Sequence, residues 1–382
     1  MRNRLCYIFF VGFLVSLYAC VPDKKYAHTD GEFEVLPVHY AKGFTIRKYA
    51  DYTLLTVRHP QDTANILGVY FLINRNKTVP PQIEGEKIIR TPAERIVCAS
   101  TTHVGFLNAL DLRNKIVGLS GVMYVYDSVT QTLIDNGSIR EIGLESALNI
   151  ELLVALRPDV FMTYLYDDPA YSGFDKMDAL QLNSVLNNEY LETTPLGQAE
   201  WIKFVAAFFE VETKADSLFQ KMEQDYLQVK ALTEHIQLKP TVLTGLPFKG
   251  EWTVPGGKSF AATYLADAGA AYLWNTNNAT GNFPVAFEEV IDKAVHADVW
   301  LNAGAKTSLQ QIAETDVRLK NFKAWESGAI YNNNNRVNAN GGNDYWESAV
   351  VNPHIVLRDL VKILHPELLP EHTFVYYRKL QP

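Results

Sequence analysis

Cysteine is scarce in this sequence, and the scarcity excludes a fold held together by disulfides. Of the three cysteines among 382 residues, Cys6 and Cys20 lie at the start of the chain and only Cys98 lies further along it. A single thiol cannot form an internal disulfide. The chain is 47% hydrophobic, which is enough to hold a core by apolar burial, and its length favours two domains.

Motifs of catalysis and of metal binding are also missing. The nine histidines stand singly, without the paired spacing of a zinc or manganese site. There is no Gly-x-Ser-x-Gly motif, no metalloprotease helix motif and no complete phosphate loop. Gly256-Gly257-Lys258-Ser259 resembles the end of such a loop, but Trp252 stands where its opening glycine should be. We therefore expect no catalytic residues, no metal centre, no cofactor and no enzyme activity.

Long apolar runs are limited to the first 19 residues. Arg2 and Arg4 precede an apolar run from Cys6 to Ala19, which is the layout of a secretory signal peptide. The run is shorter than the roughly 20 residues that a membrane-spanning helix needs. It ends in Leu17-Tyr18-Ala19-Cys20, which resembles the bacterial lipobox. We predict that residues 1–19 are removed and that Cys20 is lipidated, with an ordinary cleaved signal as the alternative.

Positive charge is outnumbered by negative charge. The chain has 35 Lys and Arg against 43 Asp and Glu, a formal net charge of -8. Loss of Arg2 and Arg4 with the signal lowers this to -10, because the signal contains no acidic residue. An acidic body is repelled by phosphate backbones, so nucleic acid is excluded as a partner.

Composition and periodicity divide the mature chain into five regions. Short segments rich in β-branched and aromatic residues, such as Val69–Ile73, predict antiparallel strands before Arg90. Beyond Arg90, apolar strands alternate with amphipathic helices, which is typical of α/β domains. The predicted regions are a lipidated tether (20–32), a β-rich extension (33–90), an N-terminal α/β lobe (91–195), linking helices (196–238) and a C-terminal α/β lobe (239–382).

The linking region has the composition of a long helix. From Gln198 to Ile236 it contains neither proline nor glycine, and its second half repeats apolar residues at helical spacing. A helix of about 24 residues would run roughly 36 Å, the length of a domain. We predict a helical spine between the two lobes, with a break near Glu210-Val211-Glu212.

Three passages together resemble the periplasmic binding proteins of iron-complex and vitamin B12 ABC importers. Their order along the chain matches the order in that family, whose two α/β lobes are joined by one long helix. The family often has proline and glutamate where this chain has Thr101 and Gly105, and residues 33–90 lie outside its common pattern. The passages are Arg95–Val97 with Ser100–His103 and Leu107–Leu110, then Ile142-Gly143 with Asn149–Glu151 and Leu156–Asp159, and last Phe287–Glu289 with Ala297–Val299.

The resemblance implies two docking residues for a membrane permease. In this family one exposed glutamate on each lobe pairs with basic residues of the permease, and Glu151 and Glu288 stand at the matching positions. Charge pairs at an interface rim steer association and fix its register. The alternative is that both are solvated acids near helix N-termini, where the helix dipole favours negative charge.

A ligand would bind between the lobes, near the carboxyl ends of the parallel strands. Aromatic side chains in the loops there suit a large planar or conjugated ligand, although core packing accounts for any single one of them equally well. His103 is favoured as a hydrogen-bonding residue over an axial metal ligand. The candidate ligand-binding residues are His103, Tyr124, Tyr126, Glu145, Tyr164, Tyr166, Phe248, Trp252, Lys258, Tyr345 and Trp346.

The function that these features favour is binding and delivery, without chemistry. We expect a monomeric, exported binding protein, anchored by lipid to a bacterial membrane and facing the periplasm. Its partners would be a small metal-complex ligand and an ABC permease. The ligand would be a ferric siderophore, haem or cobalamin. The alternative is a glycan-binding surface lipoprotein, because aromatic platforms also stack on sugars. Colour discriminates the two, since a haem or corrinoid complex absorbs visible light and a sugar complex does not.

Overall fold

The computed structural model describes residues 32–144, 147–165, 177, 180 and 182–382. The part of the chain that it describes forms four β-sheets with helices packed between and around them. None of the helices described is both long enough and apolar enough to cross a membrane. Cys20 lies outside the described residues.

The first sheet is the predicted β-rich extension, and its strands follow one another in chain order. Four strands pair antiparallel, and the fifth pairs parallel to the fourth. Alternate side chains such as Leu55 and Tyr70 join the core of the neighbouring lobe, whereas Leu54 and Phe71 form a small core of their own on the other face. The strands are β1 (Glu34–Leu36), β2 (Phe44–Lys48), β3 (Thr53–His59), β4 (Asp62–Asn74) and β5 (Ile88–Thr91).

The N-terminal lobe is built on a parallel sheet of order β10-β9-β6-β7-β8. Its strands are β6 (Ile96–Cys98), β7 (Ile116–Leu119), β8 (Arg140–Glu141), β9 (Val160–Thr163) and β10 (Ser184–Leu186). The connecting helices are α1 (Thr101–Ala109), α2 (Ser128–Asp135) and α3 (Ile150–Leu156). Ser100 and Asn149 cap α1 and α3 with side-chain oxygens that accept from backbone N–H groups.

Two helices connect the lobes: α4 (Pro195–Ala207) and α5 (Glu212–Ala231). The predicted break is confirmed, because Phe208 ends α4 and Val211 precedes α5. The second helix has 20 residues, about 30 Å at 1.5 Å per residue, and so is shorter than the predicted spine. Trp201 of α4 lies in the core of the N-terminal lobe, whereas Tyr226 of α5 lies in that of the C-terminal lobe.

The C-terminal lobe is built on a sheet of order β14-β11-β16-β17-β18, in which only β18 is antiparallel. A three-stranded antiparallel sheet of order β12-β13-β15 lies beside it. The strands are β11 (Thr241–Thr244), β12 (Pro247–Phe248), β13 (Glu251–Pro255), β14 (Ala271–Tyr272), β15 (Asn282–Ala286), β16 (Val299–Leu301), β17 (Ile330–Asn332) and β18 (Arg378–Lys379). The helices are α6 (Phe260–Asp267), α7 (Phe287–Ala294), α8 (Leu309–Ala313), α9 (Lys323–Glu326) and α10 (Pro353–Leu364). The predicted fold class, two α/β lobes joined by a helix with a β-rich extension, is confirmed.

Buried carboxylates fasten the extension to the N-terminal lobe. The side chain of Glu200, on α4, accepts hydrogen bonds from the backbone N–H groups of His39, Tyr40 and Ala41 at 2.7–3.0 Å. The side chain of Glu192 accepts from the backbone of residues 42 and 43 and from the Trp201 indole at 2.8–3.1 Å. We call this set the extension clamp. It makes the extension a fixed part of the lobe.

Candidate ligand cleft

The cleft between the lobes lies where parallel strands of both sheets end. In the N-terminal lobe the loops after β6, β7, β9 and β10 leave the sheet at its carboxyl edge, and in the C-terminal lobe the loops after β11, β16 and β17 do so. Loops at such an edge have free backbone groups and side chains that can surround a ligand. The geometry therefore brings the loops chosen from the sequence to two facing edges.

Direct hydrogen bonds tie these edges together on one side of the cleft. The Glu347 carboxylate accepts from the backbone N–H of Tyr126 at 2.6 Å and of Asp127 at 3.1 Å. The Asn338 amide donates to the Val125 carbonyl at 2.7 Å. The Thr101 hydroxyl donates to the carbonyl of residue 346 at 3.0 Å. We call these bonds the lobe clamp.

The lobe clamp is tightly packed as well as hydrogen-bonded. A Cβ atom added to Gly105, on α1, would lie 2.0 Å from the carbonyl oxygen of Glu347, far inside van der Waals contact. A Cβ atom added to Gly342 would lie 2.4 Å from the carbonyl oxygen of Tyr124. Glycine at these positions lets the backbones of the two lobes touch.

The electrostatics of the lobe clamp are set by burial. Desolvation raises the pKa of Glu347 to about 7, and the neighbouring Asp344 and Asp127 carboxylates add to the rise. The N–H groups of Tyr126 and Asp127 favour the ionised form and oppose it. Glu347 thus changes protonation state near neutral pH.

The N-terminal edge of the cleft carries a cluster of aromatic and buried polar groups. The ring of Tyr164 lies edge-on to His103 at 6.4 Å and to Tyr190 at 6.1 Å between centroids. The Tyr190 hydroxyl donates to the Leu165 carbonyl. Next to Tyr190 in the chain, the Glu189 carboxyl is buried and hydrogen-bonded to the hydroxyl of Thr102, which precedes His103. We call this set the aromatic floor.

Burial keeps the aromatic floor close to neutral. Desolvation lowers the pKa of His103 to about 3, offset in part by the Met162 backbone. Desolvation raises the pKa of Glu189 to about 7. Neither ring nitrogen of His103 has a hydrogen-bond partner of good geometry among the described residues. A neutral imidazole and a largely protonated carboxyl below pH 7 make a floor suited to an apolar ligand face.

The C-terminal edge presents a rigid aromatic pair. Tyr345 packs edge-on against Trp346 at 4.9 Å and also contacts Tyr376 and Tyr377, and burial raises its pKa to about 12. The Trp346 side chain is 55% exposed, so one ring is available to a ligand. The guanidinium of Arg336 lies 5.1 Å from the centre of the Tyr126 ring, across the cleft, and pairs with Asp344 at 2.9 Å.

Asparagine side chains order the loop after β17, and sequence reasoning missed them. The Asn332 and Asn334 amides donate to the Lys306 carbonyl at 2.8 and 3.0 Å. The run of four asparagines from Asn332 to Asn335 directly after an apolar strand was a visible signal. Glu189 and Glu347 were also missed, and single acids in loops give no such signal.

Three candidate residues in the C-terminal lobe differ in their exposure. The prediction that Trp252 binds the ligand is wrong. Its indole is fully buried against Phe287 and Trp300, and its N–H donates to the Thr244 carbonyl at 2.8 Å. It is a core residue and does not line the cleft. Phe248 is 74% exposed on the β12–β13 hairpin, and Lys258 is exposed in the turn before α6.

The other candidates divide by exposure and by position in the chain. Tyr124 is 44% exposed in the loop after β7, and Tyr126 is half-buried beneath Arg336. Glu145 and Tyr166 lie outside the described residues. Within the described part of the chain, no three His, Cys, Asp or Glu side chains group as a metal ion would require.

The two glutamates matched to permease docking occupy equivalent places. Glu151 is exposed in the first turn of α3, and Glu288 is exposed in the first turn of α7. Each helix precedes a parallel strand, β9 or β16. A helix that leads into a parallel strand begins at the carboxyl edge of the sheet. Both carboxylates therefore lie at the cleft side of their lobes.

Comparison with known proteins agrees with this geometry. A family described as periplasmic binding protein matches residues 96–336, which is well over half of the chain. An uncharacterized lipoprotein of Methanocaldococcus jannaschii is 27% identical over 330 residues, with 81% of this chain and 76% of the relative covered.

Solved structures share the fold at low identity. A possible iron-binding, periplasmic solute-binding protein of Staphylococcus epidermidis aligns with a TM-score of 0.57 at 16% identity, over 72% of this chain and 99% of that one. A periplasmic heme-binding protein of Vibrio cholerae aligns with a TM-score of 0.53 at 17% identity, over 69% of this chain and 98% of that one. The expectation of a binding protein, not an enzyme, is confirmed. The chain belongs to the periplasmic binding protein family.

Proposed function

We propose that the protein is the lipid-anchored substrate-binding component of an ABC importer for an iron complex, either ferric siderophore or haem, or for cobalamin. One observation carries the proposal. Glu151 and Glu288 are exposed in the first turns of equivalent helices, at the cleft-side edge of each lobe. Two fixed carboxylates on either side of a cleft can register the protein on a basic permease surface.

The proposed ligand class follows from the chemistry of the two edges. The aromatic floor offers apolar faces above groups that burial keeps neutral. The opposite edge offers the exposed face of Trp346, and the loop after β7 adds the exposed Tyr124 on the N-terminal edge. Aromatic faces with few fixed charges suit a large conjugated ligand. The Vibrio cholerae protein of similar fold is a heme-binding protein, which supports the same class.

The lipid anchor rests on the sequence around Cys20. A relative that covers most of this chain is described as a lipoprotein, in agreement with Ala19-Cys20 at the end of an apolar run. Mass spectrometry of the protein from its native membrane should give an N-terminal peptide that starts at a diacylglyceryl-modified Cys20. An unmodified N-terminus would leave an exported protein without the anchor.

Ligand titration tests the proposed cargo. The chain from Val21 onward is titrated with haemin, cobalamin and ferric siderophores, with absorbance and tryptophan fluorescence as readouts. Saturable binding of one of them is expected, and Trp346→Ala should weaken it by about tenfold or more through loss of an aromatic face. Leu238→Ala, at a side chain that is 88% exposed, is the matched control. A response to oligosaccharides alone would favour the glycan-binding alternative.

Uptake assays test the proposed docking. Glu151→Ala and Glu288→Ala should each reduce ligand uptake in cells and leave ligand affinity unchanged. Glu289→Ala removes a neighbouring exposed carboxylate of the same helix and should leave both unchanged. Equal uptake by all three variants would contradict docking through these two residues.

A further inference from the structure

The extension reaches further than the lobe to which it is fastened. The Tyr70 hydroxyl of β4 accepts the backbone N–H of Leu186 at 3.0 Å, which sets Tyr70 level with the last residue of β10. From there β4 continues back to Asp62. Tyr70 pairs with Leu55, and Asp62 pairs with His59. The four residues from Leu55 to His59 span roughly 13 Å at about 3.3 Å each. The far half of the β3–β4 hairpin therefore projects past the carboxyl edge of the lobe.

The projecting part bends over the rim of the cleft. Register shifts between Val57 and Arg58 and between Arg58 and His59 bend the hairpin there, as β-bulges do. The Gln61 amide then donates to the carbonyl of Leu191 at 2.6 Å. Leu191 adjoins Tyr190 of the aromatic floor. We call residues 58–67 the rim hairpin; its residues 61–66 are all exposed.

We propose that the rim hairpin is a further contact surface for the permease, on the same edge of the lobe as Glu151. This inference rests on the proposed function. The tip, Gln61-Asp62-Thr63-Ala64-Asn65, has hydrogen-bonding side chains and one carboxylate. It has no aromatic ring to hold a conjugated ligand, and the Arg58 guanidinium beside it donates to the Thr63 carbonyl at 2.8 Å. Small polar side chains of this kind are typical of the rim of a protein interface.

The rim hairpin is held in a fixed position, which favours its use as a contact surface. The extension clamp joins residues 39–43 to Glu192 and Glu200 at 2.7–3.1 Å. The rim hairpin therefore keeps a fixed position relative to Glu151, and binding need not immobilise it. The match to the family begins only at residue 96, so this surface is additional to the shared fold and can distinguish one permease from another.

Photo-crosslinking in the native membrane tests the contact. The full-length, anchored protein carries Ala64→p-benzoylphenylalanine in the rim hairpin, Val154→p-benzoylphenylalanine one turn from Glu151, or Leu238→p-benzoylphenylalanine as the control. Positions 64 and 154 should both capture one multispanning permease subunit, identified by mass spectrometry, and position 238 should not. Capture at 154 without capture at 64 would overturn the inference alone. No permease captured at either position would overturn the proposed function as well.

Charge reversal separates permease contact from ligand contact. Asp62→Lys should reduce uptake by about fivefold or more, because a rim charge governs encounter with an oppositely charged surface. The dissociation constant for haemin, or for whichever complex the titration identifies, should stay within about twofold. Asp51→Lys, in an exposed turn at the other end of the same sheet, should change neither. Unchanged uptake, or a tenfold loss of ligand affinity, would overturn the inference.

Discussion

The extension clamp and the lobe clamp use the same device with opposite electrostatics. In both, a buried carboxylate accepts consecutive backbone N–H groups from a distant part of the chain. Glu200 has the Lys203 ammonium 3.1 Å from its carboxylate. Glu347 has instead the carboxylates of Asp344 and Asp127 nearby, and they help raise its pKa to about 7.

The difference teaches which junction is permanent. A cation beside a buried carboxylate attracts its negative charge, whereas other carboxylates nearby repel it. The extension is therefore fastened firmly, and the contact between the lobes is the weaker junction. A binding protein that must release its ligand needs the weaker junction at its cleft.

The largest expected effect is a loss of stability when the extension clamp loses Glu200. Glu200→Ala leaves three backbone N–H groups without their acceptor. It also removes one partner of the buried Lys203, which keeps the Pro37 carbonyl and the Asp216 carboxylate. The free energy of unfolding should fall by about 3–5 kcal/mol, measured by urea denaturation. Glu326→Ala, at an exposed carboxylate, should change it by less than about 0.5 kcal/mol. Equal midpoints for the two variants would show that the extension is loosely attached.

Overpacking the lobe clamp should cost less. Gly105→Ala places a methyl group 2.0 Å from the Glu347 carbonyl oxygen, so the lobes must separate locally. We expect a loss of about 1–3 kcal/mol together with a larger radius of gyration by X-ray scattering. Gly281→Ala, where a Cβ meets nothing within 4 Å, is the control. A stable variant of unchanged size would contradict a tight inter-lobe contact.

The stability of the protein should depend on pH through the Glu347 carboxyl. Folding raises the pKa of Glu347 from 4.5 to about 7, so the unfolded state loses its proton first. The free energy of unfolding should therefore fall as pH rises from about 5 to 8, and Glu347→Gln should remove about 2 kcal/mol of that fall. Glu189 contributes a similar dependence on pH to the parent protein and to Glu347→Gln. The difference between the two pH dependences therefore isolates Glu347. If the unfolding free energy of both proteins changed with pH by the same amount, the raised pKa of Glu347 would be contradicted.

The smallest expected effect comes from removing one hydrogen bond of the lobe clamp. Thr101→Val keeps the side-chain shape and removes the hydroxyl that donates to the carbonyl of residue 346. The free energy of unfolding should fall by about 0.5–1.5 kcal/mol. Thr63→Val, at an exposed position of β4, should have no measurable effect. A loss no greater than the control's would remove this bond from the clamp.

Periodic patterns predicted much of the fold. The β-rich extension before Arg90, the alternation of strands and helices beyond it and the break near Glu210-Val211-Glu212 depend on neighbours in sequence, and all are present. Trp252 shows how the site differs. It was placed in a loop after a strand, but alternation along Glu251–Pro255 turns Trp252 and Val254 into the core.

Contacts between distant residues could not be predicted in this way. Glu347 binds backbone groups 220 and 221 residues away, and a backbone N–H leaves no mark on the sequence. Glu189 and His103 owe their pKa values to burial by several elements, which one local pattern does not reveal. Glu151 and Glu288 were chosen because they stand at the positions that match the family's docking residues. Nothing in their local sequence distinguishes them from other exposed acids.

The extension clamp also bears on the order in which the chain folds during export. The donors at residues 39–43 leave the translocon first, but their acceptors lie 149 to 161 residues further along. Until Glu192 and Glu200 emerge, the extension has no surface to dock on, and its backbone remains bonded to water. Such distant pairing delays folding. The first strands to cross the membrane are therefore among the last to become ordered.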